Sequence, residues 1–176
     1  MKNQINLSVQ SLQEFQKKLQ KIESRLKSNI KIATMDLMET TYELLIELYK
    51  NNNLKNHINT LHKEIISDGN GFRIWTNDWI VIFNEYGTGI IGSGTHTNST
   101  GYQYNLQSQY KDKYGRWVYF NKKTESFITT KGMKAKHMYY DAEQIIKKYM
   151  GEYYNYAITC SLNDEQYQKF RNSLKE

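Results

Sequence analysis

The sequence predicts an α+β fold: a long N-terminal helix and C-terminal helices packed on a small, mostly antiparallel sheet of about five strands, with a long polar loop. Three observations predict it. Apolar residues recur at helical spacing through residues 10–50, with no glycine or proline among them. Short runs rich in Ile, Val, Phe, Trp and Thr follow, punctuated by Gly, Asn and Asp. Helical spacing returns from Met138 onward. The 176 residues read as one domain: residues 10–50 as the long helix, 62–135 as the sheet with loop 90–115, and 137–176 as C-terminal helices.

The composition is lean in core-forming residues. With glycine counted and tyrosine set aside, the apolar share is about 36%, against roughly 45–50% in ordinary domains. Aromatics make up 14%, which argues against disorder, because each buries a large area. The expectation is an extended or assembling protein. No apolar run approaches the ~20 residues a bilayer requires. The first ten residues lack an apolar core, so no secretory signal and cytoplasmic synthesis are expected. Cys160 is the only cysteine, which excludes an internal disulfide and a cysteine-based zinc site.

The long helix is carried by Leu12, Phe15, Leu19, Ile22, Leu26, Ile30, Ala33, Leu37, Leu44 and Leu48. Unbroken, it spans roughly 55 Å at ~1.5 Å per residue. The four-residue steps around Leu26 make Asn29 the place for a kink or break. Its second half can cover the protein's own sheet. Its first half is too long for that, so Leu12, Phe15, Leu19, Ile22 and Leu26 are candidate subunit-interface residues. Segment 10–31 carries net +4 and segment 32–49 net −4. The macrodipole favours the reverse, and Glu39, Glu43 and Glu47 place like charges at i,i+4. Neighbouring subunits are therefore expected to set basic ends against acidic ends.

A short helix is expected from Leu54, Ile58 and Leu61. Strands are expected at residues 63–67 and 72–76 around the turn Asp68-Gly69-Asn70-Gly71. Asn77-Asp78 reads as a two-residue turn. Trp79-Ile80-Val81-Ile82-Phe83 is continuously apolar and reads as a central strand buried on both faces. Residues 116–120 and 126–130 read as two further strands around a lysine-rich turn. After Met138 the apolar residues Ala142, Ile145, Ile146, Tyr149 and Met150 mark a helix. Ser161 or Asn163 is expected to cap a last short helix with Tyr167, Phe170 and Leu174 on its apolar face.

Several chemistries are weighed and set aside. Gly87, Gly89 and Gly92 match G-x-G-x-x-G, but no helical stripe follows to present N–H groups to a pyrophosphate. His57 and His62 are five apart and share no helix face, so no metal site and no cofactor are expected. Cys160 is expected to be a buried inert thiol. Glu85 stands beside the glycine turn, and its carboxylate is expected to accept backbone N–H bonds and fix that turn. No catalytic residue is expected.

The basic segment is the clearest chemical signal. Between residues 111 and 136 eight basic residues meet two acidic ones, which accounts for the whole net charge of +6. Lys111, Lys113, Arg116, Lys122, Lys123, Lys131, Lys134 and Lys136 are interleaved with Tyr110, Tyr114, Trp117, Tyr119 and Phe127. The segment suits either a solvated strand-turn face or contact with a partner or DNA.

The order of elements and two motifs carry a resemblance. One is Phe83-Asn84-Glu85-Tyr86-Gly87-Thr88-Gly89, read at a strand end. The other is Thr130-Lys131-Gly132-Met133-Lys134-Ala135-Lys136-His137-Met138-Tyr139-Tyr140-Asp141-Ala142, opening a helix. Over about residues 10–150 the chain resembles the neck or tail-completion proteins of long-tailed bacteriophages, also called minor capsid or tail-component proteins. Members usually carry prolines in the second motif, where this chain has Lys136 and His137. The resemblance implies a non-enzymatic virion protein of the neck or tail, assembled in the bacterial cytoplasm. It implies a homo-oligomeric ring between head connector or head-closure proteins and tail proteins, with double-stranded DNA passing through the lumen in weak or transient contact and no membrane partner. The alternative is a non-specific nucleic-acid-binding protein using segment 110–136.

Overall fold

The structure is a computed structural model, and it describes residues 9–88, 112–114, 116–121 and 123–163. Loop 90–115 lies almost wholly outside them. So do Gly89, Lys111, Lys122 and the expected last helix around Tyr167, Phe170 and Leu174.

The fold is α+β, with a long N-terminal helix, a C-terminal helix and two small antiparallel sheets of two strands each. Helix α1 (Val9–Asn51) runs through Asn29 without a break. A 3-10 helix (Lys55–Thr60) leads into strand β1 (Leu61–Ile66). A tight 3-10 turn (Ser67–Gly69) leads into β2 (Gly71–Thr76). Ser67, Asp68 and Gly69 all have positive φ, so the turn starts one residue earlier than the glycine pattern suggested. Helix α2 (Trp79–Tyr86) follows. Strands β3 (Trp117–Asn121) and β4 (Ser126–Thr130) pair in register from Trp117↔Thr130 to Asn121↔Ser126. Helix α3 (Met138–Leu162) closes the described chain.

Two expectations fail here. The described residues hold four strands in two sheets, not about five in one. The segment read as the central strand, Trp79–Phe83, is helical. Its β-branched and aromatic residues suit a strand locally, but Asp78 acts as an N-cap rather than a turn residue. The Asp78 carboxylate accepts the N–H of Ile80 at 2.9 Å, and its C=O accepts that of Ile82 at 3.0 Å. Within the helix only Val81 of the apolar run is fully buried, while Trp79 and Ile80 are exposed. Ser161 lies inside α3 and its hydroxyl donates to the Ala157 carbonyl at 2.7 Å, while the last short helix that Ser161 or Asn163 is expected to cap lies outside the described residues.

The chain divides into two compact units. One comprises residues 1–39, 65–73 and 147–176, and the other residues 40–64 and 74–146. The core of the second unit is Leu45, Tyr49, Leu54, Leu61, Val81, Met138 and Ala142. A fully buried leucine such as Leu45 contributes about 1.5–3 kcal/mol through the water it sheds. In the first unit α1 meets α3, and Ala33, Leu37, Ala157 and Cys160 on the two helices are all buried. Cys160 is a free buried thiol, as its apolar neighbourhood suggested. Polar groups share that contact. The Asn29 amide donates to Ser161 Oγ at 2.9 Å, and Thr34 Oγ1 lies 3.1 Å from the Tyr154 hydroxyl.

The buried line of α1 is Arg25, Asn29, Ala33, Leu37, Thr41, Leu45 and Tyr49. It coincides with the apolar series only at Ala33 and Leu37. Leu26, Ile30, Leu44 and Leu48 are half-buried beside it.

Candidate functional site

Three places draw on the residues singled out by sequence: the junction around Glu85, the β3–β4 hairpin, and the first turns of α1.

The junction is built from α2. The helix stops at Gly87, whose φ of 74° few other residues adopt easily, and the Gly87 N–H returns to the Phe83 carbonyl at 2.9 Å. That stop leaves Glu85 in the last turn, 3% exposed. Its Oε2 accepts the N–H of Tyr139 at 2.8 Å and its Oε1 that of Tyr140 at 3.1 Å. These are first-turn donors of α3, which no residue within the helix can satisfy. The residue before α3 is His137, held at φ 58°, and its side chain is not one of the usual capping types. Glu85 therefore supplies the cap from another element. Its negative charge also suits the positive end of the helix dipole. The expectation that Glu85 accepts backbone N–H bonds agrees with this geometry, but the turn it fixes is the start of α3.

Around it the backbone is stitched. Lys136 N–H donates to the Asn84 carbonyl at 2.6 Å. Thr88 and Met133 exchange both backbone hydrogen bonds, at 2.8 and 3.0 Å, as an isolated antiparallel bridge. Thr88 Oγ1 accepts the Met133 N–H as well. Gly132, at φ 90°, turns the chain just before it. Thus Glu85, Tyr86, Gly87 and Thr88 lie beside Gly132 and Met133, 45 residues further along. The two segments that carry the family resemblance meet. The first of them stands at a helix end, however, not at the strand end read from the sequence.

A half-buried polar chain runs from the junction. The hydroxyls of Tyr49 and Tyr139 are 2.8 Å apart, with the rings edge-on and centroids 6.4 Å apart. Burial pushes the Tyr49 phenol up to about 12, against hydrogen bonds from Tyr139 and Thr76 that pull it down. Burial likewise raises the Tyr139 phenol, and the Tyr49 hydroxyl adds to the effect. The Thr76 hydroxyl lies 3.0 Å from that of Thr60 and accepts the Asp78 N–H at 3.1 Å. Asp78 in turn holds His57 Nδ1 at 2.6 Å. These groups bond one another. The sequence reading missed the two tyrosines and the His57–Asp78 pair. Only Asp78 before an apolar run signalled its role, as an N-cap.

The hairpin carries much of the basic segment. Lys113, Arg116, Lys123, Lys131, Lys134 and Lys136 are all exposed. Arg116 Nε is 2.6 Å from Asp112 Oδ2, and Lys113 and Arg116 both lie over the Tyr114 ring, at 5.0 and 5.1 Å. Phe120 and Phe127 face each other across the strands with ring centroids 5.3 Å apart, yet remain 50% and 76% exposed.

Along α1, Leu12, Phe15 and Leu19 are exposed, and Val9 with them, while Ile22 and Leu26 are half-buried. The described residues contain no cluster of metal-ligating side chains and no helix long and apolar enough to cross a membrane. In comparisons with known proteins the chain matches no family model, no curated protein and no solved structure.

Proposed function

We propose that this chain is a structural, non-enzymatic subunit of the ring that joins head to tail in a long-tailed bacteriophage and lets DNA pass. The observation that carries the proposal is the uncovered apolar line Leu12, Phe15 and Leu19 on one unbroken helix. Three large side chains at 3- and 4-residue spacing form a continuous stripe, which water penalises by roughly 25 cal/mol per Å². A second copy that covers the stripe with a different patch of its own gives a head-to-tail contact, and such contacts form a ring where the rotation between copies closes. The meeting of the Glu85–Thr88 and Gly132–Met133 segments adds support, because both belong to the motifs of the neck-protein resemblance.

The test is mass photometry of the full chain. The proposal expects a ring-sized species, and removal of the gene is expected to leave heads and tails unjoined. A chain that stays monomeric at every concentration and leaves joining intact when deleted overturns it. Exposure of Phe120 and Phe127 among lysines favours a second reading, non-specific nucleic-acid binding. Salt-dependent DNA binding by the isolated monomer would support that one.

A further inference from the structure

We propose that residues 164–176 run on from α3 along α1 and cover Phe15, Leu19 and Ile22 of their own chain until a second copy displaces them. The inference rests on the self-association proposed above and names what holds it in check. It starts from the register of the two helices in the first unit. The Asn29 amide donates to Ser161 Oγ at 2.9 Å, and Thr34 Oγ1 lies 3.1 Å from the Tyr154 hydroxyl. A step forward in α1 is thus a step back in α3, and the helices run antiparallel. Helix α3 ends at Leu162, one residue past the Asn29 contact. Burial along α1 fades at the same level: Arg25 is buried, Ile22 is half-buried, and every residue from Val9 to Lys21 is exposed. Helix α1 is bare over the stretch that α3 does not reach.

Residues 164–176 lie outside the described residues, and their length and pattern fit that stretch. They number thirteen, about 20 Å as helix, which carries them from the level of Arg25 past Phe15. Extended from midway between its two hydrogen-bonded contacts, the register sets Ile22 opposite Tyr167, Leu19 opposite Phe170 and Phe15 opposite Leu174. The three large apolar residues of the segment therefore each meet one residue of the α1 line. Tyr167 and Leu174 also stand seven and fourteen residues beyond buried Cys160, the period that keeps one seam of a helix turned to its partner. The same line in a second copy is the competing cover. Segment 10–31 carries net +4, so two such lines would set like charge against like, whereas residues 164–176 carry three acidic and three basic groups. A segment this short is marginal as a helix by itself, so it holds while docked and yields to a neighbour that offers a larger apolar surface. Self-association is weakened in proportion to the fraction of chains whose line is covered.

Mass photometry and sedimentation velocity of full-chain variants test this. Tyr167→Ser, Phe170→Ser and Leu174→Ser combined are expected to strengthen self-association by about tenfold or more, because the line then stands open. The pair Leu19→Cys and Phe170→Cys is expected to form a disulfide within one copy, to hold the oxidised chain monomeric, and to regain association on reduction. Unchanged association in the serine variant, or no disulfide within a copy, overturns the cover and leaves the ring standing. A disulfide found only between copies, with weaker association in the serine variant, also overturns it and assigns the segment to a neighbour's line. A chain that never self-associates in any variant overturns the ring and the displacement, and the disulfide within one copy then decides the cover by itself.

Discussion

Glu85 holds the backbone N–H of Tyr139 at 2.8 Å across 54 residues of chain, and so one carboxylate near the end of α2 governs how α3 begins. Two half-buried N–H groups depend on it. Glu85→Gln keeps the shape but removes the charge, and is expected to lower unfolding free energy by roughly 1–2 kcal/mol. Glu85→Ala leaves both donors bare and is expected to cost about 3 kcal/mol. Urea denaturation of the two variants measures the difference, and equal losses would contradict the charge-assisted cap.

The Tyr49–Tyr139 pair makes a statement about alkaline pH. With Tyr49 raised from 10.0 to about 12 and Tyr139 raised as well, the folded chain holds phenolic protons that the unfolded chain releases. Their contribution is fully present below pH 10 and is lost as pH climbs from 10 toward 12. Absorbance titration at 295 nm is expected to show two of the fifteen tyrosines ionising only as the fold is lost. Tyr49→Phe is expected to cost about 1–3 kcal/mol at neutral pH, because it strips a buried hydroxyl of its partner, and to flatten the alkaline limb.

Asp78 decides that residues 79–86 are helical. Asp78→Ala removes the cap on Ile80 and the partner of His57 together. A loss of about 1–2 kcal/mol is expected, while Asp78→Ser, which retains a capping oxygen, is expected to recover part of it. Thermal unfolding followed by circular dichroism distinguishes the two.

Two glycines should respond in opposite directions. Gly69 sits at φ 97° and a Cβ there would lie 2.7 Å from Cγ of Lys31, so Gly69→Ala is expected to destabilise by more than about 1 kcal/mol. Gly151 lies inside α3 with nothing within 4 Å of a Cβ, so Gly151→Ala is expected to stabilise by about 0.5–1 kcal/mol.

The exposed α1 line separates folding from assembly. Leu12→Ser, Phe15→Ser and Leu19→Ser are each expected to change monomer stability by less than about 0.5 kcal/mol. Combined, they are expected to abolish self-association, which mass photometry reads directly. A combined variant that unfolds instead would mean the line is part of the chain's own core.

What the sequence made legible was local. The long helix follows from apolar spacing in a stretch without glycine or proline. The β3–β4 hairpin follows from two β-rich runs around a polar turn, and the buried Cys160 from its surroundings. The errors arose where local and distant forces disagreed. Trp79–Phe83 has the composition of a strand, and five apolar residues are too few for periodicity to choose. A single cap at Asp78, with burial of Val81, settles it as helix. Apolar spacing also could not reveal that Asn29, Thr34 and Thr41 are buried, since those positions gain their place through hydrogen bonds and close packing. The acceptor role of Glu85 was readable from its residue type and its glycine neighbour. Its target was not, because no pattern in the chain marks a contact 54 residues away.

The bridge between Thr88 and Met133 has an engineering consequence. It clamps the two ends of the excursion between residues 88 and 133, which carries the β3–β4 hairpin. Extra sequence spliced into that excursion adds little closure entropy, roughly 0.6 kcal/mol for each doubling in length. The clamp thus makes the turn between β3 and β4 a natural port for grafting tags or reporter peptides, while the seat of α3 behind it keeps its geometry.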